Sequence, residues 1–284
     1  MCGCVGSVSI GPTNTATHII AVSKTVGGVV SLGDELFVVS EHSRHVEVYD
    51  TLTYTLQRHI LVPGFGSLSS LSVCRINNCL YMLSVSGIFG DRIHRVELTD
   101  GAVLDWSVAR RPTGLSVNSA NNVLVVSPSE RKMQEFTTRG TRLREIQLPA
   151  EIERPWQALQ LPSGQFLVSN DASHNQVALL TQNGTFLHAY EGDSSSDGKM
   201  SEPRDMTIDE HGNVLVADKG NNRLLALDQS LTGARVVSVS VDGGLRGPRS
   251  LWYDMSRKRL CIGEVEGGRV IVIDNIRLSK HSSL

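Results

Sequence analysis

One phrase recurs along the whole chain, and a recurring phrase restricts the fold more than any single motif does. Its clearest copy is "EPRDMTIDEHGNVLVADKGNNRLLALD", from Glu202 to Asp228. "MTID" fits an inner strand, and "EHGN" fits a turn in which Gly212 is free to take positive φ. "VLVAD" is a short β-rich strand, "KGNNR" a second turn and "LLALD" a third strand. Related copies run from Arg111 to Phe136, from Arg154 to Leu180 and from Gly247 to Asp274. An earlier copy spans Gly27 to Asp50, and a looser one spans Ser67 to Leu98.

Aligning the second strand of each copy puts Val38, Met82, Val125, Val168, Val216 and Ile262 in one column, spaced by 44, 43, 43, 48 and 46 residues. Units of about 45 residues with this strand content predict an all-β fold, a six-bladed β-propeller of four-stranded blades. After the last copy, "GRVIVIDN" leaves almost nothing for a fourth strand. Before the first copy stands "THIIAVSK", Thr17 to Lys24. We expect this N-terminal segment to supply the missing outer strand of the last blade, which removes two open sheet edges at once. The expected domains are a flexible N-terminus over 1–15, the propeller over 16–276 and a flexible tail over 277–284.

The same residues resemble an NHL repeat, in the Pro opening, the "DEHGN" turn, "VAD" and "NNR" of the Glu202–Asp228 copy. Pro112, Pro155 and Pro248 carry part of the pattern into three further copies, and the first two copies match by spacing. The resemblance implies a recognition module like the NHL propellers of tripartite-motif ubiquitin ligases, which bind protein or RNA. The RING that carries ligase activity in those proteins has no counterpart in this chain. Cys2 with Cys4, and Cys74 with Cys79, are the close cysteine pairs, and neither forms the Cys/His ladder of a structural zinc site.

Strand order assigns the loops. The loop entering each inner strand and the loop between second and third strands share one face, here the top. Candidate partner-binding residues on it are Arg204, Arg249 and Trp156, with Thr113, at the entry loops. Lys219, Asn221, Arg44 and His174 come from the second-to-third loops. A column of His45, Lys132, Gln176, Arg223 and Arg269 is expected to tie down loops by bonding acids such as Asp218 and Glu264.

Net charge is −2, so no global basic field favours nucleic acid. Charge is uneven, however, with eight basic residues against five acidic ones from Arg110 to Arg154. The alternative is therefore RNA binding through the basic third blade, by Arg110, Arg111, Arg131, Lys132 and Arg154. Single-stranded RNA readers add exposed aromatics for stacking, and only 5% of this chain is aromatic.

No catalytic motif stands out. The column expected to line the channel reads Ser69, Gly114, Gln157, Asp205 and Ser250, with one carboxylate. A hard cation needs several oxygen ligands, so no metal and no cofactor are expected, and the chain is expected not to be an enzyme, a propeller hydrolase or lyase being the least favoured alternative. Cys74 and Cys79 flank the turn "RINN" and are expected as buried thiols. No run approaches the roughly 18 apolar residues of a membrane helix. Five cysteines, an odd number, suggest a reducing compartment. The expectation is a monomeric, cytoplasmic propeller with a protein partner, RNA as the alternative and no membrane.

Overall fold

The computed structural model describes residues 14–64, 66–86, 90–192, 198–276 and 278. Cys2, Cys4 and most of the expected flexible ends lie outside them. The described chain forms six four-stranded sheets, and their inner strands touch one another in a closed ring.

Blade 1 comprises Val26–Leu32, Glu35–Ser40, His45–Asp50 and Leu56–Leu61. Blade 2 comprises Ser67–Cys74, Cys79–Val85, Arg92–Glu97 and Val103–Ser107. Blade 3 runs through Gly114–Val117, Val123–Ser127, Lys132–Phe136 and Arg142–Gln147, and blade 4 through Pro155–Gln160, Phe166–Asn170, Gln176–Leu180 and Phe186–Tyr190. Blade 5 holds Pro203–Ile208, Val214–Asp218, Arg223–Leu227 and Ala234–Val237. Blade 6 takes Pro248–Asp254, Arg259–Glu264 and Arg269–Ile273 from the C-terminal end, and His18–Ala21 from the N-terminal end.

The expected closure is thus present, with His18 opposite Val272 and Ala21 opposite Arg269 in antiparallel register. A second clasp adds to it. Asn14–Thr15 pairs in parallel with Val239–Ser240, beyond the outer strand of blade 5.

Second strands are apolar runs because both of their faces are covered. In Val214–Asp218, Val214 and Val216 pack on Leu167 and Val177 of blade 4. Leu215 and Ala217 pack on Leu260 and Ile271 of blade 6. The same alternation fills every blade interface, including the one between blades 6 and 1, where Val29 and Val38 meet Cys261 and Val270. Outer strands keep one face in water, as in Leu56–Leu61, which is almost wholly exposed. No helix of the described residues is long and apolar enough to cross a membrane.

Near the axis the inner strands crowd together. A Cβ on Gly28 would stand 2.6 Å from the Leu71 Cβ, and one on Gly114 would stand 2.4 Å from the Trp156 carbonyl oxygen. Side chains clip neighbouring inner strands. The Val29 amide donates to Ser250 Oγ at 3.0 Å, and the Met206 amide to Gln157 Oε1 at 2.6 Å. In blade 2 the channel position falls on Ser70 rather than on the expected Ser69. Leu71 is the residue that pairs with Met82, so the position before it is Ser70; the bulge between Leu68 and Ser70 is shared with the inner strands of blades 1, 4, 5 and 6. The Leu115 amide donates to Ser70 Oγ at 3.4 Å.

Candidate functional site

The entry loops and the second-to-third loops meet on the top face, and the candidate residues from the sequence lie there. Arg204 begins the inner strand of blade 5. Its guanidinium reaches Asp171 of blade 4 at 2.7 Å and Glu202 at 2.9 Å. Lys219 pairs with the same Glu202. Arg249 begins the inner strand of blade 6 and pairs with Glu41 of blade 1. Each of these arginines therefore ties its blade to a neighbour, and each side chain is only 11% exposed.

Trp156 joins the two. Its ring centroid lies 4.0 Å from the Arg204 guanidinium carbon and 4.9 Å from that of Arg249, within cation–π reach. Its Nε1 donates to Asp205 Oδ1 at 3.2 Å. Burial pushes the Asp205 carboxyl up to about 6, against the pull of Arg249, Ser250, Trp156 and the Leu251 amide.

Beside this cluster a groove of about 380 Å³ runs between blades 3 and 4, with Arg111, Thr113, Ser129, Arg154, Trp156 and Arg204 in its walls. The Arg111 amide donates to Asp91 Oδ2 at 2.6 Å, and its φ is 52°, so the backbone is held while the side chain stands exposed. Arg154 is 67% exposed and only 4.0 Å from Asp171. Arg110, Arg131 and Arg44 are exposed too, and their side chains have no partner among the described residues. Lys132 is spoken for, since Glu130 lies 3.3 Å and Glu145 2.8 Å from its ammonium. Asn221 Nδ2 donates to the Lys199 carbonyl at 2.8 Å and to Asp218 Oδ2 at 2.9 Å, which holds its loop. His174 is exposed, 3.5 Å from Glu191.

The third-strand column ties loops in blades 5 and 6. Arg223 Nε donates to Asp218 Oδ2 at 2.6 Å, and Arg269 Nε donates to Glu264 Oε2 at 2.6 Å. Cys74 and Cys79 sit directly opposite each other in the blade 2 hairpin and are free and buried, as is Cys261. Burial pushes the Cys261 thiol up to about 12 and raises Cys79 as well, so these two thiols are unreactive.

The lower half of the channel holds a cavity of about 300 Å³ that the sequence motifs do not mark. Leu115, Leu159, Ile208 and Leu251 stand in its walls beside Asn118, Gln157, Thr207 and Asp205, and Arg75, Trp252 and Met255 form its rim. Arg75 comes from the first turn of blade 2 and reaches Asp254 of blade 6 at 2.8 Å. Burial acts to raise the Asp254 carboxyl, but bonds from Ser256, Arg75 and Ser31 override it and hold it down at about 2. The only hint in the sequence is Met255, an apolar residue in a turn, which is 54% exposed. Among the described residues lining this cavity, Asp205 is the one carboxylate and no histidine is present.

No protein-family model and no curated protein sequence matches the chain. Solved structures do. A protein of unknown function from Bacteroides thetaiotaomicron matches with a TM-score of 0.66 at 15% identity, over 92% of this chain and 73% of its own. A catalytically inactive virginiamycin B lyase from Staphylococcus aureus, solved with quinupristin, matches at 0.64 and 11%, over 90% and 87%. Kuenenia stuttgartiensis hydrazine synthase matches at 0.65 and 12%, over 90% and 97%. At these identities the likeness to the structural neighbours shows the β-propeller fold alone.

Proposed function

We propose that the chain is a non-catalytic recognition propeller whose top-face groove between blades 3 and 4 takes an acidic, extended segment of a protein partner. The observation that carries this reading is a difference among the groove's arginines. Arg204 is locked by Asp171 and Glu202, whereas the Arg111 side chain has no partner among the described residues and Arg154 keeps only a 4.0 Å contact. Exposed guanidiniums over a braced floor suit carboxylates, which they bind bidentately. By its resemblance to the NHL propellers of tripartite-motif proteins, such a surface would serve substrate recognition in a ubiquitin-ligase system.

RNA is less well served. Lys132 is neutralised, and the Trp156 ring already carries two guanidiniums, so a base would have to displace one in order to stack. A crosslinking pull-down scored for protein and RNA separates the two. Arg111→Glu with Arg154→Glu abolishes capture of a protein partner if the reading holds. Unchanged protein capture, or capture of RNA alone, contradicts it.

A second reading rests on the lower cavity, whose mostly apolar walls with a few polar groups suit a small, largely apolar ligand. Leu115→Phe fills that space. If a ligand binds there, a screen of small apolar compounds finds ones that raise the melting temperature of the wild type and not of the variant.

A further inference from the structure

We propose that blade 1 carries a zinc-binding site made by His45, Glu47 and His59. His45 and Glu47 are two apart on the third strand, so both side chains leave the same face. The register sets His59 of the outer strand directly opposite Glu47. All three therefore gather on one patch, the face of blade 1 turned toward blade 6. Val46 and Val48, between and beyond them, point the other way and pack on blade 2.

The ligand atoms of the three lie within 4.8 Å of one another. His45 Nε2 is 3.9 Å from Glu47 Oε1, and the His45 and His59 rings meet edge to face with centroids 4.6 Å apart. Tetrahedral Zn²⁺ holds N and O ligands at about 2.0–2.2 Å, which puts neighbouring ligand atoms about 3.3–3.6 Å apart. Small side-chain rotations close the difference. Two imidazoles and one carboxylate suit a borderline cation rather than Ca²⁺ or Mg²⁺, which prefer all-oxygen shells.

Two further features belong to a site. The Tyr49 hydroxyl donates to Glu47 Oε2 at 2.7 Å, which steadies the carboxylate and leaves Oε1 toward His45. His45 is also released from its column's usual task. In blades 5 and 6 that position is an arginine tied to Asp218 or Glu264. In blade 1 the equivalent of that acid is Ser40, whose buried hydroxyl has no partner among the described residues. His45 is thus free to face Glu47 and His59. Three protein ligands leave the fourth position for water or for a donor from another molecule.

The test is a calorimetric titration of the full chain with Zn²⁺ alone, in a Cys2→Ser, Cys4→Ser background that removes competing N-terminal thiols. One equivalent should bind and raise the melting temperature. His59→Ala removes both effects without loss of folding, because His59 is exposed. Tyr49→Phe weakens binding by about tenfold or more, as loss of a supporting hydrogen bond does at metal sites. Zinc uptake that persists unchanged in both His59→Ala and His45→Ala overturns the proposal, as does a parent protein that takes up no zinc.

Discussion

Asp205 is the residue at which folding and the top face meet. It sits under Trp156 with its carboxyl pushed up to about 6 by burial. An unfolded Asp titrates near 4, so between about pH 4 and 6 the folded state holds a proton that the unfolded state has lost. Its contribution to stability therefore rises as pH falls through that window. Comparing urea unfolding of wild type and Asp205→Asn across pH 4 to 7 isolates it. The wild type should gain on the variant as pH falls, and a constant difference contradicts the assignment. Gly114 has a different role, since it lets two inner strands approach. Gly114→Ala drives a methyl into the Trp156 carbonyl, and the overpacking costs about 1–3 kcal/mol in denaturant unfolding.

At the scale of the element, each second strand serves two interfaces. Leu215→Ala removes packing from the interface of blades 5 and 6 and should cost about 2–5 kcal/mol. Leu61→Ala, on an outer strand and 75% exposed, should stay within about 0.5 kcal/mol of wild type in the same measurement. The N-terminal strand is the ring's latch. Ile20→Asp puts a charge into the packing between blades 6 and 1 and loosens His18–Ala21 from Arg269–Ile273. A lower melting temperature and a larger aggregated fraction by light scattering should follow, because an open strand edge recruits other chains.

Much of the fold was legible in the sequence for a physical reason. Strands buried on both faces must be apolar and short, and the turns between them need Gly, Asn or Asp, so the Val38-to-Ile262 column shows itself. The site was legible only in position. Entry-loop spacing puts Arg204, Arg249 and Trp156 on the top face, but whether a cation is free or locked depends on acids from neighbouring blades, such as Glu41 for Arg249. Local spacing points to Ser69 in place of Ser70 because blade 2 has Leu68 where blades 3 to 6 open on Pro112, Pro155, Pro203 and Pro248, so no proline marks the start of its inner strand. The Arg75–Asp254 bridge and the His45–Glu47–His59 group depend on contacts between blades and on strand register, neither of which local spacing encodes.

At the scale of the whole molecule, closure explains how a chain with few aromatic residues builds a braced upper surface. Six interfaces and a two-ended last blade fix the loops, and the ion pairs of Arg204 and Arg249 brace them from blade 4 round to blade 1. What remains free is a small set of cations beside a groove. Each exposed arginine that pairs with a carboxylate contributes about 0.2–1 kcal/mol, and reversal to glutamate adds like-charge repulsion, so replacing both should weaken binding by about tenfold or more. The most direct measurement is fluorescence anisotropy with an array of labelled Asp/Glu-rich peptides, on wild type and on Arg111→Glu with Arg154→Glu. The account predicts that some acidic peptides bind the wild type, that salt weakens them, and that the double variant binds none. Equal binding to both proteins, or no acidic peptide bound by the wild type, would contradict it.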